Sequence, residues 1–173
     1  MQELPGEKVV GARRVTIEKA IESLPDVENP DDVTDIWYNV GLNDSRSGFS
    51  PERVSEDTLQ MLKIYHKKFK NARHHVTGLL PLDDRQIETN RLLKKLTDNT
   101  GSMYVSTKAF RDKNTGNLRS NLIKDGFHLM PIGIGTLAKA VKKSLFSPNK
   151  TDDDSLAHIV KICDMVEQRK ISA

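Results

Sequence analysis

Asp125 and His128, three residues apart in Asp-Gly-Phe-His, are the residues of this chain best suited to chemistry. A histidine can take a proton from a hydroxyl near neutral pH, and a carboxylate beside it can fix which ring nitrogen holds the hydrogen. The pair lies on the loop that feeds an amphipathic run beginning near Pro131. Asp-Gly is also an ordinary turn, so local capping explains the same residues without catalysis. Asn43, in Gly41-Leu-Asn-Asp44, follows an apolar run. Its amide suits donation to an oxyanion, and a turn residue after a strand is the plainer reading. His66, His74 and His75 read as exposed or structural, and the His74-His75 pair lacks further ligands for a metal. Gly133-Ile-Gly135 follows no clear strand and lacks the rest of a nucleotide fingerprint, so no cofactor is expected.

The elements that must position these residues alternate. A short strand over 7–10 stops at Gly11-Ala12. Thr16 caps a helix that runs to Leu24. Asp35–Val40 reads as a strand buried on both faces. Ser50 followed by Pro51 starts a helix that reaches about Lys70. A strand from His75 to Leu80 follows, then a helix capped by Asp83 or Asp84 and ended by Gly101. A short strand begins at Met103, residues 107–124 are irregular, and a helix spans about 131–146. A linker over 147–154 leads to a terminal helix over about 155–169, with Leu156, Ile159, Val160, Cys163 and Val166 on one face. Alternation of this kind predicts a parallel sheet with helices on both faces and a ligand crevice beyond the carboxyl ends of the strands.

The chain has 173 residues, enough for one domain with a full core. Its 27 Lys and Arg stand against 24 Asp and Glu and look dispersed, so nucleic acid is not expected as a partner. The densest basic run, Lys63 to Arg73, reads as the wet face of a helix. A single cysteine, Cys163, gives no disulfide framework and no cysteine-based metal site, and fits a reducing compartment. No stretch approaches the ~20 apolar residues of a membrane span, and no apolar signal region opens the chain. A cytoplasmic location is expected.

With these residues in place, the chain resembles the SGNH (GDSL-type) hydrolases, which are esterases and deacetylases on a flavodoxin-like sheet. Gly11 in Val-Val-Gly-Ala matches the glycine of the family's second block. Gly41-Leu-Asn-Asp44 matches its Gly-x-Asn-Asp block, and Asp125 with His128 matches its Asp-x-x-His block. The wording of Gly78-Leu-Leu-Pro81 and Asp125-Gly-Phe-His-Leu129 is similar to SGNH domains of metazoan retroelements. The resemblance spans about residues 7–146.

It implies a three-layer flavodoxin-like α/β fold, with a domain over 1–147 and a linker plus C-terminal helix over 148–173. It also implies that His128 is the base, that Asp125 orients it, and that Asn43 and the Gly11 N–H are oxyanion donors. The implied substrate is a small acyl ester, with no metal or cofactor. The family's nucleophile is a serine in a Gly-Asp-Ser turn after the first strand, and no Gly-Asp-Ser occurs here. Ser45 and Ser47 lie too close to Asn43 on one loop to serve both base and oxyanion. The first strand is therefore expected to be missing, along with the nucleophile, leaving the chain inactive. Without that strand, Asp35–Val40 becomes an open edge. That edge, or the terminal helix, then offers a route to a homodimer. The alternative is a degenerate, non-catalytic SGNH-like interaction module.

Overall fold

The structure is a computed structural model that describes residues 8–12, 15–146 and 159–164. Five parallel strands form one sheet in the order β1 (Lys8–Ala12), β7 (Ile159–Asp164), β2 (Asp35–Asn39), β3 (Arg73–Thr77), β4 (Met103–Val105). Between them run α1 (Ile17–Glu22), α2 (Leu42–Arg46), α3 (Pro51–Lys68), α4 (Asp84–Thr100) and α5 (Pro131–Leu145). A two-residue antiparallel ladder, β5 (Ile123–Lys124) with β6 (His128–Leu129), stands apart from the main sheet.

The alternation of β2 divides the core. Ile36 and Tyr38 point to one face, packing with Ile17, Ala20, Val54, Met61, Leu62, Tyr65 and Leu96 from α1, α3 and α4. Trp37 points to the other face and packs with Val105 and with Val141 of α5. A third cluster, around Leu80, Phe110, Leu122 and Ile123, sits on the α5 side and holds Leu42, Leu129 and Leu137. Continuous apolar character in a strand buried on both faces is what parallel sheets require.

The helix starts and stops follow their capping residues. Thr16 accepts from Lys19 N at α1, Ser50 from Arg53 N at α3, and Asp83 with Gln86 closes a capping box at α4. Gly101 ends α4 in the left-handed region, at φ 71°.

The expected terminal helix is corrected: Ile159–Asp164 is a strand, and the rest of that segment lies outside the described residues. Its β-branched Ile159, Val160 and Ile162 suit a helical stripe and a strand equally well in sequence, and periodicity alone does not separate the two. Hydrogen bonds on both sides decide the matter. β7 pairs in parallel with β1, Lys8 opposite Val160, and with β2, Asp35 opposite Ile159. The slot expected to be vacant beside β2 is therefore occupied by this chain's own later residues. The open β2 edge, one of the two proposed dimer contacts, is covered. Strand β3 ends at Thr77 rather than Leu80, and Gly41–Asp44, expected as a turn, leads directly into the short helix α2.

Candidate active site

The Asp125–His128 pair sits on a hairpin. Asp125 and Gly126 both take positive φ, 49° and 85°, and with Phe127, whose N–H donates to the Lys124 carbonyl, they make the tight three-residue link between the antiparallel strands. Asp is among the few non-glycine residues that tolerate this region. The turn brings His128, at the start of β6, back over Asp125. The imidazole Nδ1 lies 2.9 and 3.0 Å from the two carboxylate oxygens, and the His128 backbone N–H also donates to Asp125 Oδ1. The hydrogen bond from His128 holds the Asp125 carboxyl below its usual range, so it is an ionised acceptor. An ionised acceptor at Nδ1 puts the ring hydrogen there and leaves the lone pair on Nε2, the nitrogen away from Asp125. That is the tautomer a general base needs. Both side chains are partly open to solvent.

Asn43 is the second residue of α2, which begins at the carboxyl end of β2 through Gly41. Gly41 has φ 96°, and a Cβ there would press on Val54 and Leu79, so the sharp entry into α2 needs glycine. The Asn43 amide donates to the Val15 carbonyl at 3.0 Å. Its neighbour Asp44 is buried and accepts from Ile17 N at the start of α1. Burial raises the Asp44 carboxyl above its usual value, against the pull of that hydrogen bond. Asp44 thus joins α2 to α1 and takes no part in the site. Ser45 is fully buried, with its hydroxyl accepting from Gln86 Nε2 and its carbonyl from Arg85. Ser47 is exposed at the end of α2.

The hairpin and α2 meet. The Arg46 guanidinium lies 4.1 Å from the centre of the Phe127 ring, and that ring is 3.9 Å from the His128 imidazole. Leu42 and Leu129 line one cavity of about 30 Å³, with Asn39, Thr77, Gly78, Leu79, Leu80, Thr107 and Leu137. This cavity opens at the carboxyl ends of β2 and β3. Gly11 is further along the same edge: Cys163 is in register with Gly11 on one side and with Asn39 on the other. Two strand spacings separate Gly11 from Asn39, roughly 10 Å. Arg46 and Phe127 escaped the sequence reading. The only signal for Arg46 is its position three residues after Asn43 on a helix too short to show periodicity.

A complete Ser–His–Asp chain does exist, at the other end of the sheet. Ser144 Oγ is 2.8 Å from His75 Nδ1, and His75 Nε2 is 2.8 Å from Asp35 Oδ1. Arg73 also clasps Asp35. Burial acts to raise the Asp35 carboxyl, but the bonds from His75 and Arg73 outweigh it and hold it below its usual value. His75 is fully enclosed, so no substrate reaches this imidazole. Beside it, His74 is buried against Tyr38 and stacks on His66 at 3.7 Å. The structure thus gives all three of these histidines structural partners. Among the described residues no group of three His, Cys, Asp or Glu is placed to hold a metal, and no helix is long and apolar enough to cross a membrane.

The shape is similar to solved structures. A Streptococcus pneumonia protein described as a platelet activating factor superposes with a TM-score of 0.66 at 16% identity, over 78% of this chain and 70% of that one. The OSK domain of Drosophila Oskar superposes with a TM-score of 0.60 at 18% identity, over 78% of this chain and 72% of that one. No protein-family profile and no curated protein matches the sequence. At such identities the likeness concerns the fold alone, a parallel α/β sheet flanked by helices.

Proposed function

We propose that this chain is a serine esterase or deacetylase-type SGNH domain whose catalytic set is incomplete, so that it does not turn over acyl esters. The observation behind this reading is the His128–Asp125 pair, joined through Nδ1, on the hairpin whose Leu129 lines the small apolar cavity at the carboxyl edge. His128 is the base, Asp125 orients it, and Asn43 and Gly11 stand on the elements that would face an oxyanion. The part not found among the described residues is the attacking hydroxyl. Ser45 is enclosed and bonded to Gln86, and His128 makes its hydrogen bonds with Asp125 alone among the described residues. A base without a nucleophile in reach gives up covalent acyl transfer.

The test is hydrolysis of p-nitrophenyl acetate by the full chain. The expected rate is the buffer background, unchanged by His128→Ala. Turnover that disappears in His128→Ala would mean that a nucleophile is present, and the chain would then be an active esterase.

A second reading is a non-catalytic interaction module, and Asn43 favours it. Its amide donates to the Val15 carbonyl, so the residue that would stabilise an oxyanion holds α2 against the start of α1. Under this reading Asn43→Ala lowers stability, by about 1 kcal/mol, and nothing else about the site changes.

A further inference from the structure

The charge that looks dispersed along the sequence is gathered by the fold. Residues 106–146 form the layer over the Trp37 face of the sheet, through the clusters around Val141 and around Leu122. That layer has eight lysines and arginines against two aspartates, Asp112 and Asp125. Both carboxylates are engaged within it. Asp112 accepts from the backbone of Asn114 and Thr115, and Asp125 accepts from His128. Arg111 is occupied by the carbonyls of Pro81, Leu82 and Gly116. The other seven cations are exposed. Helix α5 has three lysines and no carboxylate at all. The opposite face differs: there Arg53 pairs with Asp57, Arg91 with Glu88 and Lys94 with Asp98, each three or four residues away on the same helix. A one-sided excess of positive charge attracts polyanions.

The shape of the face narrows the kind of polyanion. Ile132 and Phe146 are the apolar residues most exposed along α5, 63% and 68%. They sit at its two ends, roughly 21 Å apart along a helix. Lys139 and Lys142 lie between them, so there is no continuous apolar strip to enter a lipid surface. The inner side of α5 is buried against the sheet through Gly133, Val141 and Ser144, and the exposed ring of Phe146 offers a stacking surface that a duplex, whose bases are already stacked, does not use. A single strand has no groove to enter: its phosphates follow cations and its bases stack on open rings. We propose that the α5 face binds single-stranded nucleic acid, with Lys139 and Lys142 meeting phosphates and Phe146 stacking on a base. This goes beyond the esterase-like reading and does not depend on it.

The experiment is fluorescence anisotropy of the full chain with a labelled 20-nucleotide oligo(U), at several salt concentrations. Binding should weaken with salt at about 0.7 log units per tenfold salt for each phosphate contact. Lys139→Glu with Lys142→Glu should weaken binding at least tenfold and flatten the salt dependence. Phe146→Ala should weaken it roughly five-fold or more, with the salt dependence kept. Lys94→Glu with Lys95→Glu, on the opposite face, should change it less than twofold. Circular dichroism checks that each variant is folded. The proposal is overturned by failure to bind at low salt, by equal losses from the two lysine pairs, or by duplex RNA binding as tightly as oligo(U). It is also overturned if phosphatidylserine vesicles, and not oligo(U), depend on Lys139 and Lys142. Loss of oligo(U) binding leaves the p-nitrophenyl acetate result untouched, so the two proposals fail separately.

Discussion

The two ends of the sheet hold the same chemistry in opposite states. At the amino end Asp35, His75 and Ser144 form an unbroken hydrogen-bonded chain that solvent cannot reach. At the carboxyl end Asp125 and His128 stand at the surface with no hydroxyl attached among the described residues. The sealed set has its hydroxyl, and the open pair has none among the described residues. The order of residues along a hydrogen-bond chain therefore does not define a catalytic site; access to the imidazole does. The buried chain ties α5, through Ser144, to β3 and β2, and its work is stability. Buried polar networks matter energetically because each broken link leaves a group that water cannot satisfy.

That contrast predicts unequal costs. His75→Ala should destabilise the protein by about 3–4 kcal/mol, through the cavity it leaves and the lost partners of Asp35 and Ser144. Ser144→Ala, which removes only the last link, should cost about 1 kcal/mol. Urea unfolding measures both. Equal costs would mean that the chain does not act through His75.

The same difference between ends should appear with pH. Burial, followed by the nearby His66, lowers His74 to about 4 from an ordinary 6.5. The neutral ring fits its bonds: Tyr38 OH can donate to Nδ1, while Nε2–H points to the Phe69 carbonyl. A lowered histidine value means that the unfolded chain binds the proton first. Its stabilising contribution is therefore complete above pH 6.5 and is lost as pH falls toward 4, in total on the order of 3 kcal/mol. His66, lowered by burial, acts in the same direction. Asp44, raised by burial, acts in the opposite direction at lower pH, so the window to measure is pH 7.5 to 5. Urea midpoints should fall across that window, and His74→Gln should flatten the fall. An unchanged slope in that variant would place the proton uptake elsewhere.

A third test falls on the joint between α5 and the hairpin. A Cβ on Gly133 would collide with the Leu122 carbonyl oxygen, which also accepts from Met130 N. Gly133→Ala should cost about 1–3 kcal/mol, because α5 must move off the segment that holds His128. Gly135, two residues on, has open space where its Cβ would be. Gly135→Ala should instead stabilise the helix, by up to ~1 kcal/mol. Opposite signs from two glycines in one helix would locate the tight contact at the first.

Much of this arrangement was legible in the residues. Caps at Thr16, Ser50 and Asp83 mark helix starts through local hydrogen bonds, and β2 announces itself by a near-continuous apolar run. The Asp-x-x-His spacing also gave the dyad, because the turn that folds His128 back is encoded by Asp125-Gly126 alone. What could not be read is long-range. Ile159–Asp164 reads as helix or strand until the slot between β1 and β2 is known. The Ser144–His75 link joins residues 69 apart. Arg46 meets Phe127 only once α2 and the hairpin are brought to the same edge.

The smallest expected effect is at the exposed pair. Asp125 and His128 hold each other at the surface, where such a hydrogen-bonded pair contributes little. Position 125 also has φ 49°, which Asn tolerates and Ala does not, so Asp125→Asn is the informative variant. Neither Asp125→Asn nor His128→Ala should move the urea midpoint measurably, in contrast to His75→Ala. The expected change is local: in Asp125→Asn the amide no longer imposes the Nδ1–H form, and the histidine Nδ1 signal in nitrogen NMR should show tautomer exchange. A midpoint shift as large as that of His75→Ala would show that the carboxyl-edge dyad supports the fold, and its reading as a relic of catalysis would then lose its basis.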